Sequence, residues 1–124
     1  MNSNYLNILY VAIGGACGAI LRYLFYVFFA NTYIATMIVN LLGCFLIGVL
    51  STIYYQCLLN NLWYKPLVLT GFLGCFTTFS SFCLLLYIFI QQQEFVKMLL
   101  YGSLQVFIGV FLVIIAHFLT MKFI

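Results

Sequence analysis

The sequence predicts an all-α integral membrane protein of four transmembrane helices, the third of them broken near its middle. Three observations lead there. Of 124 residues, 68% are hydrophobic and only 4% charged, with a mean hydropathy of +1.27, whereas a soluble domain carries about a quarter charged residues. The apolar residues fall into four runs, each reaching the roughly 20 residues that a helix needs to cross hydrocarbon. Inside the third run, 71–82 reads GFLGCFTTFSSF, with two glycines three apart and four hydroxyl residues among four phenylalanines. Glycine lets a helix break or another backbone approach, and broken helices survive at membrane depth only where protein or a water-filled cavity surrounds them. That stretch is where the protein is expected to handle something polar inside the bilayer.

The chain reads as one domain, 1–124, with spans at about 5–29, 34–55, 66–90 and 95–119. MNSNYLN at the start has no basic region and runs straight into an apolar stretch too long for a cleaved signal. In the first span, Gly14, Gly15 and Gly18 make a small-xxx-small face that lets two helices pack closely in lipid. Arg22 lies toward its far end. Its position favours an interfacial anchor that snorkels out of hydrocarbon over a charge that draws an anion toward the protein.

After a short link at 30–33, the second span carries Thr36, Asn40 and Gly43 or Cys44 at helical spacing, so one face is polar or small. The Asn40 amide falls near mid-membrane. It is either interhelical glue or a donor lining a polar path, and both uses turn it toward other helices. The 56–65 loop is polar, with Trp63 and Tyr64 beside Lys65 as an interfacial belt. Pro66 suits the first turn of the third span. Gln91, Gln92, Gln93, Glu94 and Lys97 make the next connection, and Tyr101, Gln105 and Gly109 then follow at four-residue intervals along the fourth span. Tyr101 is either a belt aromatic or a hydroxyl donor toward the second span, and Gln105 has the same choice as Asn40. His117 reads as interfacial, a lone histidine being a weak ligand or relay candidate. The cysteines at 17, 44, 57, 75 and 83 have neither CxxC spacing nor a histidine cluster and are read as small packing residues.

The charges give no clear orientation. Lys65 and Lys122 fall on one side and Arg22 and Lys97 on the other, a Lys/Arg balance of 2 − 2 = 0 where a bias normally sets topology. The expectation is a chain that inserts both ways and works as an antiparallel, dual-topology dimer. A net charge of +3 makes no basic patch, which argues against nucleic acid.

The spans contain no acid, Glu94 lying in a loop. That argues against proton-coupled export, including a small dual-topology exporter of organic cations, which needs an ionisable group inside the membrane. Without an acid/base pair, a nucleophilic triad or a metal cluster, enzyme chemistry is not expected. The neutral donors Asn40, Thr36, Thr77, Thr78, Ser80, Ser81, Tyr101 and Gln105 remain, and such groups can replace water around an anion. Phe79 and Phe82 project from one helix face. They are packing residues or rings whose positive edges meet an anion. The residues thus describe a passive, neutral-lined path for a small anion, centred on Asn40 and 74–82. A non-conducting assembly partner, in which the same residues serve packing alone, is the bland alternative.

At these residues the chain resembles the CrcB/Fluc family of small prokaryotic fluoride channels. GGACGAILRY at 14–23, T-x-x-x-N-x-x-G at Thr36, Asn40 and Gly43, and GFLGCFTTFSSF at 71–82 are similar to three family motifs in the family's order. The resemblance implies an antiparallel dimer, of the chain with itself or with a homologue, with two pores that conduct fluoride passively out of the cytoplasm across the cell (inner) membrane. It implies that Asn40 faces the pore, that Phe79 and Phe82 offer ring edges, and that Thr78, Ser80, Ser81 and Tyr101 belong to the pathway. Arg22 is associated with its mouth, and Gly14, Gly18 and Gly43 with helix packing. The helix is implied to break at TTFS, with a structural sodium ion (Na+) at the dimer centre on carbonyls of Gly74 and Thr77. Ser81 replaces a common threonine and keeps the hydroxyl, whereas Cys83 and Leu85 stand where many members carry a serine and a glutamate, which makes that part of the track drier.

Overall fold

Four long apolar stretches form helices because a backbone in hydrocarbon must satisfy its own polar groups. The computed structural model describes residues 3–124. Helix α1 is Ser3–Phe29, α2 is Thr32–Cys57 and α5 is Phe95–Phe123. The third span, Lys65–Gln91, is interrupted. Its first half, α3 (65–76), starts as a π-helix over Lys65–Leu73 and closes with an α-turn at Gly74–Phe76; its second half, α4, is Phe79–Gln91. Such a long i→i+5 stretch is uncommon, and hydrophobic periodicity gives no warning of it.

The break lies at two residues. Thr77 has φ −78 and ψ 158, and Thr78 has φ −145 and ψ 106, both extended. No described glycine has positive φ, so the glycines of this stretch do not break the helix by their conformational freedom. Gly71 serves close approach instead: a Cβ there would lie 2.8 Å from Val11 O and 3.1 Å from Gly14 Cα.

Between α1 and α2 the chain turns through Ala30, whose φ is +46, and Asn31 caps α2. Asn31 Oδ1 accepts the N–H groups of Tyr33 at 3.0 Å and Ile34 at 3.2 Å, so α2 starts two residues earlier than hydropathy suggests. Asn31→Ala is expected to cost about 1 kcal/mol, read as a lower unfolding midpoint, with Asn31→Ser near neutral; an unchanged alanine variant would show that α2 does not need its cap. At the opposite end Tyr64, 8% exposed, stacks on Tyr54 with ring centroids 5.9 Å apart and donates to Leu50 O at 3.3 Å. Burial pushes its phenol above the ordinary range.

In the bundle, α1 packs along α3, α2 along α5, and α4 touches both α2 and α5. The innermost side chains are Ala35, Thr36, Val39, Phe76 and Ala116. The outer faces of α1 and α5 expose a succession of large apolar residues, among them Phe28, Phe107 and Phe118, as a helix facing hydrocarbon should.

Candidate functional site

Breaking a helix at Thr77 and Thr78 frees the backbone groups that an intact helix would have paired. Side chains from two other helices take them up. The Asn40 amide clamps Thr78 at both ends: Thr78 N–H donates to Oδ1 at 2.8 Å, and Nδ2 donates to Thr78 O at 3.0 Å. Arg22 Nη1 donates to Thr77 O at 3.2 Å. Thr77 N–H and Oγ1 both turn back to Leu73 O, at 3.1 and 3.0 Å. Thr78, 5% exposed, caps α4, its Oγ1 accepting Ser81 N–H at 3.1 Å and donating to Ser81 Oγ at 2.9 Å.

Beside this junction lies an open groove of about 370 Å³. Asn40, Gly43 and Cys44 form one wall, Leu73, Gly74 and Thr77 a second, Phe79 and Phe82 a third, and Gln105 and Val106 a fourth. Gly43 is pressed against the Thr77 γ-methyl, where a Cβ would overlap it. Phe79 stands 77% exposed at the groove while Phe82 is 6% exposed, and their ring centroids are 5.9 Å apart at 44°. Tyr101 continues the aromatic line, its ring 6.1 Å from that of Phe82 and its hydroxyl donating to Tyr33 O at 2.9 Å.

The structure thus gathers Asn40, Thr77, Thr78, Phe79, Phe82, Ser80 and Ser81 at one junction, with Tyr101 one ring further on. It corrects the reading of Arg22 as an interfacial anchor: the side chain is half-buried and its guanidinium is held at the break, level with the middle of the third span. Thr36 is fully buried and bonded to Tyr26 Oη at 2.7 Å, apart from the groove lining. His117 is not partnerless, since Nδ1 lies 2.9 Å from Thr52 Oγ1. That hydroxyl already donates to Gly48 O at 2.6 Å, so with one hydroxyl proton to give it accepts from the imidazole. Gln105, 7% exposed, lines the groove with Oε1 unpartnered. Gly14 and Gly18 are buried against the α3 backbone.

Much of the polar inventory is committed to the fold, and the remainder is what an ion can use. One proton of Asn40 Nδ2 is free once the other binds Thr78 O. Ser81 Oγ, an acceptor from Thr78, keeps its own proton, and Ser80 is exposed. Phe79 and Ser80 N–H belong to the first turn of α4, where no intrahelical acceptor exists and the helix dipole favours negative charge. These are donors without acids. The chain's single acidic side chain, Glu94, is paired with Lys97 at 2.6 Å in the last connection.

A family model described as "CrcB-like protein, Camphor Resistance (CrcB)" matches residues 9–117. The chain is 40% identical over 113 residues to "Fluoride-specific ion channel FluC 1" of Staphylococcus aureus strain Mu50, covering 88% of this chain and 76% of the relative. It is 39% identical over 108 residues to "Fluoride-specific ion channel FluC 2" of Staphylococcus saprophyticus, covering 84% and 88%. To "Fluoride-specific ion channel FluC" of Hahella chejuensis it is 36% identical over 112 residues, covering 86% and 88%.

Proposed function

The chain belongs to the CrcB family, and on that premise we propose that it is a passive fluoride channel: a multi-pass protein of the prokaryotic cell membrane that lets fluoride leave the cytoplasm. The observation that carries this reading is the junction at Thr77 and Thr78, where a largely apolar groove is lined by the amides of Asn40 and Gln105 and by two phenylalanines, with Ser80 and Ser81 in the adjoining first turn of α4. A small anion needs several donors together to offset its lost hydration, and neutral donors supply them without trapping it. A carrier that exchanges its substrate for a proton needs an acid in the spans, and the lone Glu94 lies outside them.

The working unit is an antiparallel dimer, with a second copy or a paired homologue. The groove is open on one side and Phe79 stands exposed beside it, so another chain has both a surface to cover and a wall to contribute. With Arg22 drawn into the bundle, the remaining Lys/Arg residues divide as Lys65 and Lys122 against Lys97, too small a bias to enforce one orientation. Two such chains would form two pores.

The residues also fit a sodium ion between them. Among the described residues no three His, Cys, Asp or Glu side chains gather as a metal site, so a hard cation here would use carbonyl oxygens. The break supplies two. Gly74 O loses its usual helical donor because Thr78 N–H is taken by Asn40, and Thr77 O lies beyond the end of α3. Two oxygens are too few for one cation, and the second chain would bring the rest. Bound there, sodium would contribute positive charge between the pores.

The test is efflux from liposomes holding the purified chain, with chloride as control anion. Rapid fluoride loss without chloride loss is expected; equal loss of both, or neither from a folded dimer, contradicts the reading unless co-reconstitution with a paired homologue restores it. Phe79→Ile and Phe82→Ile are each expected to slow fluoride efflux by about tenfold or more, equivalent to roughly 1.4 kcal/mol on the barrier. One observation favours a second reading, a non-conducting assembly partner: most Asn40 hydrogen bonding is spent on Thr78. That reading predicts no flux in any pairing.

A further inference from the structure

Gly14, Gly18 and Arg22 stand at four-residue intervals on α1 and so share one face. Gly14 lies against the backbone of Leu67 and Phe72, and Gly18 against that of Phe72 and Phe76. Arg22 is the next position on this stripe, and it meets the third span where α3 stops: Nη1 donates to Thr77 O at 3.2 Å. The last carbonyls of a helix lack intrahelical donors and carry the negative end of its dipole, so a cationic side chain there is favourable. Arg22 has no carboxylate to answer it, since the only acidic side chain is held by Lys97. Its charge faces peptide carbonyls instead.

We propose that Arg22 is the positioning residue of the break, capping the C-terminal end of α3 through the Thr77 carbonyl and acting as a built-in cation beside the carbonyls open to an alkali ion. The inference rests on the channel reading only for what the break serves. A carbonyl oxygen has two lone pairs, so the guanidinium and an alkali ion can share Thr77 O. With a neutral side chain in place of Arg22, an alkali ion would be the remaining positive charge at the end of α3. Asn40 fixes Thr78 from α2 and Arg22 fixes Thr77 from α1, so two helices hold two successive residues of the break.

Hydrogen–deuterium exchange of the purified full chain across 73–82 tests this, in sodium chloride and in choline chloride at equal ionic strength, for wild type, R22Q and R22K. In choline, R22Q is expected to exchange about tenfold faster than wild type in that segment. Sodium should recover most of the loss, and R22K should stay within about threefold of wild type. R22Q as protected as wild type in choline overturns the proposal. So does a loss that sodium leaves untouched, because lost packing rather than missing charge would then explain it. If R22Q does not fold, R22K decides: protection near wild type supports the cap, and a segment as open as an unfolded control overturns it. Fluoride transport is not read in this experiment. A chain that carries no fluoride yet shows the expected exchange pattern would remove the channel reading and leave the capping role standing.

Discussion

Asn40→Ala is expected to abolish fluoride efflux and to cost about 2 kcal/mol of stability, because one substitution strips partners from both backbone groups of Thr78. A buried unsatisfied donor or acceptor costs about 1–3 kcal/mol, and interhelical hydrogen bonds in membranes measure lower, about 0.6 to 2 kcal/mol. Thr78 loses an N–H partner at 2.8 Å and a C=O partner at 3.0 Å together. The stability loss is read from unfolding of the purified protein and the flux loss from liposomes. The pair of readouts separates two roles that the sequence leaves open. Lost stability with intact flux would make Asn40 a clamp only. Lost flux at full stability would contradict the clamp geometry, and the residue would then act on the ion through its free N–H alone.

How much of this was legible beforehand depends on how far apart the interacting residues are. The four spans follow from local hydropathy. The break could be placed within GFLGCFTTFSSF because hydroxyl residues crowd an otherwise apolar run. Glycine drew attention to the right stretch for an incomplete reason, since the backbone leaves the helix at two threonines while Gly71 gives α1 room to approach. The anchor reading of Arg22 fails because position along one helix says nothing about residue 77, to whose carbonyl the side chain is bonded. The available sign was its place on the Gly14–Gly18 stripe, which packs toward α3. Thr52 and His117 are 65 positions apart and Tyr33 and Tyr101 are 68 apart, so composition offers no route to either pair. Tyr101 takes the second of its two open readings, its hydroxyl turned to α2. Gln105 matched a polar helix face in the sequence, and only packing reveals that Oε1 is left unpartnered beside the groove.

Gly18→Ala and Gly14→Ala are expected to be the most damaging single-methyl changes in the chain, each costing about 3 kcal/mol or more, the upper end of what overpacking does. Apolar side chains gain nothing from leaving lipid for one another, so helix association in a bilayer rests on close packing and on polar contacts between helices. Along α1 that packing is backbone to backbone. A methyl at Gly18 would overlap Phe72 O, and one at Gly14 would overlap Leu67 O. Main-chain carbonyls cannot rotate out of the way as a flexible side chain would, so α1 must back off from α3. Arg22 lies one turn beyond Gly18 on the same face, and its 3.2 Å bond to Thr77 O would stretch with the retreat. Gly18→Ala should therefore open the break as well as lower the unfolding midpoint. Gly102→Ala is the control: it too adds one methyl inside a spanning helix, but the new Cβ would meet only the flexible end of Leu86, at 3.4 Å, so it should leave stability within about 0.5 kcal/mol of wild type. If Gly18→Ala proved as mild as Gly102→Ala, α1 would not be held by close approach, and the stripe that seats Arg22 would lose its physical basis.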